Sequence, residues 1–158
     1  MRELILLRHA HAESPTAGSN DVERPLSPDG AAASEAAGRW LVEHGLVPDV
    51  ALCSPAQRTR DTLEAVLRVV GYVDQRIEPE IYEATPGQLI ELADRYRDVS
   101  RVMIVGHNPG LEQLVALMES GQSSDYRGMP PAGIAVLKMP AGAALEPGVA
   151  RLSQFWWP

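Results

Sequence analysis

Glu3-Leu4-Ile5-Leu6-Leu7-Arg8-His9 and Arg101-Val102-Met103-Ile104-Val105-Gly106-His107 are the two stretches whose reading decides the fold. Each is a short aliphatic run of the kind that forms a strand buried on both faces, and each stops abruptly at a histidine. Helix-start signals follow both. In open α/β sheets the ends of such strands are where ligands bind. The two histidines are therefore expected to meet at the C-terminal ends of the strands, in one pocket.

The rest of the chain fits that frame. Residues 10–26 are polar and rich in small residues and read as a long loop. Ser27-Pro28 opens a helix with serine at the N-cap and proline at the first helical position. It is predicted over Ala31 to His44, with Ala37, Trp40 and Leu41 on its apolar face and Gly45 as its stop. Val47 to Leu52 reads as a second strand, and Ser54-Pro55 repeats the cap pattern for a helix reaching about Val70. Arg76 to Tyr82 is a short extended piece, and Thr85-Pro86 opens a helix to about Tyr96. After the strand at 101–106, a helix is predicted from Pro109 to Met118, then closing strands at Ile134 to Met139 and Val149 to Leu152. Strands alternating with helices predict an α/β fold: one domain over residues 1–158, with a mainly parallel central sheet of five to six strands covered by helices on both faces.

Bulk properties narrow the function. The chain has 158 residues, 45% hydrophobic and 22% charged, with a formal net charge of −7. That acidic balance argues against a nucleic-acid partner, which would call for a basic surface. The sole cysteine, Cys53, excludes an intrachain disulfide and suits a reducing compartment. Neither a signal peptide nor a membrane-spanning stretch is read, so the expected location is cytoplasmic and no membrane partner is expected.

Three segments carry the chemistry. In Arg8-His9-Ala10-His11 a guanidinium fork, suited to phosphate or carboxylate oxygens, stands beside a strand-end imidazole. The His-x-His pattern could instead ligate zinc, but that requires further ligands, and only His44 and His107 remain. In Cys53-Ser54-Pro55-Ala56-Gln57-Arg58, Arg58 lies in the first helical turn, where free N–H groups also favour an anion. Cys53 is superficially placed like a cysteine-phosphatase nucleophile, yet Pro55 removes a needed N–H donor from the loop. It reads as a buried strand-end residue. In Gly106-His107-Asn108-Pro109-Gly110, the flanking glycines let the backbone turn sharply beside a ligand.

Together, Arg8-His9, Ser54-Pro55-x-x-Arg58-x-x-x-Thr62 and Gly106-His107-Asn108-Pro109-Gly110 resemble the histidine phosphatase superfamily, also called phosphoglycerate mutase-like. The small SixA-type branch of phosphohistidine phosphatases is the nearer likeness. Arg24-Pro25-Leu26-Ser27-x-x-Gly30 and Met129-Pro130-Pro131 are similar to further marks of that branch. The resemblance spans nearly the whole chain; Ala10 departs from the glycine many members carry there. It implies that His9 is the nucleophile, that Arg8, Arg58 and His107 form the phosphate pocket, and that Arg24 joins them. Larger members use an acidic residue to protonate the leaving oxygen, a role for which Glu83 is the first candidate and Asp21 the second. The implied activity is a metal-independent, cofactor-free phosphatase working through phosphohistidine on His9 and acting on a phosphorylated protein such as a histidine-phosphotransfer domain. The alternatives are a broad phosphomonoesterase of small phosphorylated metabolites and a non-catalytic phosphate-binding module. The oligomeric state and the role of the Phe155-Trp156-Trp157 tail are not legible in the sequence.

Overall fold

The chain runs β1 (Arg2–Arg8), α1 (Pro28–Glu43), β2 (Val50–Cys53), α2 (Gln57–Val70), β3 (Asp74–Ile77), α3 (Pro86–Asp94), β4 (Arg101–Gly106), α4 (Gly110–Ser120), β5 (Ile134–Met139) and β6 (Arg151–Trp156) in a computed structural model describing residues 1–158. Short 3₁₀ turns lie at Asp21–Glu23, Pro79–Ile81 and Ser123–Asp125. The six strands form one sheet in the order β3-β2-β4-β1-β5-β6. The first four are mutually parallel, and β5 and β6 continue antiparallel.

Alternation within the strands explains the layering, because successive side chains leave a strand on opposite faces. Leu4, Leu6, Val102 and Ile104 join Leu89 and Leu92 of α3 and Leu111 and Leu114 of α4 in one core. Ile5, Leu7, Met103 and Val105 join Trp40 and Leu41 of α1 and Leu63 and Val66 of α2 in the other. Both faces of β1 and β4 are thus covered, which is why their sequences are apolar without alternation.

The path of the chain then creates the crevice. From β1, α1 carries it past β4's place to β2, and α2 leads on to β3 at the edge. Through α3 it returns to β4, between β2 and β1. Helices before and after that return lie on opposite faces, so the ends of β1, β2 and β4 open where the two helix layers part.

Several boundaries differ from the sequence expectation. Strand β2 starts at Val50 rather than Val47, because Pro48 offers no N–H to a neighbouring strand. The extended piece expected at Arg76–Tyr82 is β3 at Asp74–Ile77 followed by a 3₁₀ turn, as Pro79 likewise ends the ladder. Helix α3 ends at Asp94, two residues early. The last strand reaches Trp156 instead of stopping at Leu152. A bulge in the β5–β6 pairing breaks the period of two there. Phe155 packs on the α3–α4 core, while Trp156 stacks on Trp40 with centroids 5.6 Å apart. The long loop is also pinned: Ala12 pairs with Leu26, and Ser27 Oγ caps α1 while its N–H donates to the His11 carbonyl. A Cβ on Gly30 would lie 2.1 Å from that carbonyl oxygen, so α1 and the loop can approach this closely only with glycine there.

Candidate active site

Strand register assembles the site. Arg8 pairs with Gly106, so His9 and His107 leave the sheet side by side. The His9 N–H donates to the Gly106 carbonyl, and the Ser54 N–H to the Val105 carbonyl. The His9 and His107 rings end with centroids 5.3 Å apart.

His9 Nδ1 lies 2.7 Å from the Ala10 carbonyl oxygen. A carbonyl only accepts, so Nδ1 carries the ring proton and the Nε2 lone pair is left unprotonated. Burial, reinforced by Arg58, Arg8 and Arg24, lowers the ring from the usual 6.5 to about 4. His9 is therefore neutral at pH 7, with a free basic nitrogen among guanidinium groups.

His107 Nε2 lies 2.8 Å from Ser54 Oγ, while Nδ1 has no partner in the protein. Burial, then His9 and Arg58, push its pKa down to about 3. The protein's own groups thus hold His107 neutral at pH 7, and an anion bound beside it would push its pKa back up. Ser54 is not the cap of α2, as the sequence suggested. The helix starts at Gln57 without a side-chain cap; the Ser54 hydroxyl, two residues ahead of the cap position, meets His107 and also accepts from the Ala56 N–H at 3.3 Å.

Around the two rings stand the arginines. Arg8 Nη1 donates to the Met129 carbonyl at 2.8 Å, and the same oxygen accepts from Asn108 Nδ2 at 3.0 Å. This gives the Met129-Pro130-Pro131 segment a role in aiming Arg8. Arg58 is almost fully buried and donates through Nη1 to the Asp21 carbonyl at 2.8 Å and through Nη2 to Asp21 Oδ2 at 3.0 Å. A cavity of about 630 Å³ opens between Arg58, His107, Asp21, Tyr82 and Glu83.

The carboxylates differ sharply. Asp21 accepts from the Tyr82 hydroxyl at 2.6 Å, from Arg58 and from Arg24 Nη1 at 3.1 Å. These bonds hold it well below the usual carboxylate range. Glu83 lines the same cavity with no hydrogen bond or ion pair, on a backbone of φ 58°. Arg8 and His9 are not among the residues lining that cavity, and nor is Arg24. Arg24 touches it through Asp21 and otherwise donates to the Glu13 carbonyl at 2.9 Å. Arg60 is solvent-exposed, and Cys53 is fully buried, with burial pushing its thiol up to about 12. The sequence reading missed Tyr82 and the partnership of Ser54 with His107. Neither carries a local signal, since each gains its meaning from a strand or loop distant in sequence.

Residues 4–97 match the family model described as the histidine phosphatase superfamily (branch 1). An uncharacterized protein of Mycobacterium tuberculosis is 35% identical over 164 residues, which cover 96% of this chain and 99% of that protein. The crystal structure of a candidate phosphohistidine phosphatase SixA from Agrobacterium tumefaciens superposes with a TM-score of 0.87 at 31% identity, covering 99% of this chain and 98% of the other. A similarly designated SixA from Nakamurella multipartitia gives 0.86 at 32% identity, covering 99% and 96%. The fold is accordingly phosphoglycerate mutase-like.

Proposed function

We propose that this chain, which belongs to the histidine phosphatase superfamily (branch 1), removes phosphoryl groups through a covalent phosphohistidine on His9. Family membership and the SixA-like neighbours support a phosphatase. The observation that carries the mechanism is the state of His9: neutral, its Nδ1 proton given to the Ala10 carbonyl, its Nε2 unprotonated amid arginines.

In the first half-reaction Nε2 attacks phosphorus in line; the P–N bond forms as the bond to the leaving group breaks. Arg8, Arg58 and His107 take the equatorial oxygens, and Arg24 adds long-range positive charge through its place beside Asp21. Preorganised charge of this kind stabilises the transition state. An alkoxide leaving group takes up a proton, a role that falls to Glu83, which lines the cavity unpartnered while the Asp21 oxygens are taken by Tyr82, Arg58 and Arg24. A phosphohistidine whose other ring nitrogen carries a proton leaves as neutral imidazole and needs none. Water then attacks the phosphohistidine, orthophosphate departs, and His9 Nε2 is regenerated. No step calls for a metal ion or cofactor.

The substrate is a phosphohistidine on a protein such as a histidine-phosphotransfer domain. The open cavity lined by Asp21 on one side and Tyr82, Glu83, Ala84 and Thr85 on the other suits a phosphoryl group presented on another protein's surface. The SixA neighbours bear the name of that chemistry. Rapid quenching with a ³²P-labelled phosphohistidine protein tests this. Wild type is expected to carry acid-labile label and release orthophosphate, and His9→Ala to do neither. Faster turnover of small phosphate esters than of the phosphoprotein would move the substrate to metabolites. Equal labelling of His9→Ala would remove His9 from the mechanism.

A further inference from the structure

Tyr82 stands at the mouth of the cavity with three contacts around the phosphate-binding groups. Its hydroxyl donates to Asp21 Oδ2 at 2.6 Å, its ring meets His107 edge-on with centroids 5.6 Å apart, and the Arg58 guanidinium carbon lies 6.0 Å from its ring centre. The Oδ2 atom that accepts from Tyr82 also accepts from Arg58 Nη2, while the Asp21 carbonyl takes Nη1. Each terminal nitrogen of Arg58 therefore gives one of its two N–H bonds to the same residue, while the buried Nε has no partner. A guanidinium grips phosphate best with two donors along one edge. The Asp21 carboxylate is thus a rival anion for the group expected to hold phosphate.

We propose that Tyr82 is a positioning residue that latches the Asp21 carboxylate onto Arg58, so that a phosphoryl group enters by displacing that carboxylate and orthophosphate leaves as it returns. The inference rests on the reading of this cup as a phosphoryl site. The Asp21 side chain is half exposed whereas that of Arg58 is nearly buried, so the carboxylate is the partner free to swing. Arg24 holds its other oxygen from the same loop. Tyr82 alone ties it to the segment after β3, across the mouth. Removing the Tyr82 hydroxyl loosens the carboxylate without taking away any positive charge. Arg58 keeps its aim, because its bond to the Asp21 backbone carbonyl survives any side-chain change.

Orthophosphate titrated calorimetrically into the full chain tests the latch without requiring turnover. Tyr82→Phe, which keeps the ring against His107, is expected to bind orthophosphate about threefold more tightly. Asp21→Asn removes the rival charge itself and is expected to tighten binding about tenfold. A purely structural role would weaken binding in both, so a gain in affinity separates the two. Unchanged or weaker binding in both variants overturns the proposal, and tightening in Asp21→Asn alone overturns the part given to Tyr82. Wild type that binds no orthophosphate would instead bring down the phosphoryl reading, and the latch with it.

Discussion

Acidification should cost this protein stability through its two site histidines, and replacing them should return it. His9 and His107 are held at about 4 and about 3, against an ordinary 6.5. On unfolding, both rings regain the ordinary value and take up protons. The unfolded state therefore binds more protons than the folded one below pH 6.5, so stability is greatest above that pH and falls as the pH drops towards the folded values. At 1.36 kcal/mol per pKa unit, the loss at pH 4.5 is about 2.5 kcal/mol for each ring. His9→Asn places an amide where Nδ1 meets the Ala10 carbonyl and removes the titration. Part of the depression of His107 comes from His9, so the single variant relieves its neighbour as well. Urea melts at pH 7.5 and 4.5 measure the difference, and carboxylate contributions cancel between variants. The stability lost by wild type should exceed that lost by His9→Asn by about 2.5 kcal/mol, and that lost by a His9→Asn/His107→Asn double variant by about 5 kcal/mol. Parallel pH dependences, or an imidazole NMR titration of His9 centred near 6.5, would show that burial does not hold His9 neutral.

Two further perturbations probe the walls of the cavity. Glu83→Gln should slow hydrolysis of an alkyl phosphate about a hundredfold while leaving p-nitrophenyl phosphate, whose leaving group needs no proton, nearly untouched; equal losses on both would take the acid role away from Glu83. Gly110→Ala gains about 1 kcal/mol of helix propensity, but its Cβ would sit 2.5 Å from the Ala84 carbonyl oxygen. The backbone collision outweighs that gain, and thermal melts should show a net loss of about 1–3 kcal/mol, together with reduced alkyl ester hydrolysis as the Glu83 loop shifts.

What was legible in the sequence follows from the range of the interactions involved. Leu4 to Leu7 and Val102 to Val105 declare buried strands because burial on two faces requires apolar residues without interruption. The strand ends locate His9 and His107 because a parallel sheet sends its C-terminal ends to one side. The Thr85-Pro86 start was equally readable, since the Thr85–Gln88 capping box is local chemistry. Ser54 was misread for the complementary reason. Serine before proline is good cap chemistry, but a hydroxyl 2.8 Å from a buried imidazole nitrogen spares that nitrogen an unpaired polar burial, a cost of about 1–3 kcal/mol. The same hydroxyl still accepts from the Ala56 N–H at 3.3 Å, so the bond to His107 adds to a local role, and the distant half of that pairing had no signal in the sequence.

The same comparison of ranges explains why the two carboxylates could not be ranked from the sequence. Asp21 and Glu83 both stand in polar loops, and nothing local separates an acid from a clamp. The difference arises from Tyr82, 61 residues from Asp21 in sequence, and from Arg58 on α2. Both contacts exist only because β2 lies beside β4, with the segment after β3 folded back over their ends. A sheet whose strands followed one another in sequence order would have no such crevice, and Asp21 would be an ordinary surface carboxylate. The crossover that separates β1 from β2 by one strand therefore does two things at once. It sets His9 beside His107, and it brings the Asp21 carboxylate against Arg58, the arginine proposed to bind and release phosphate.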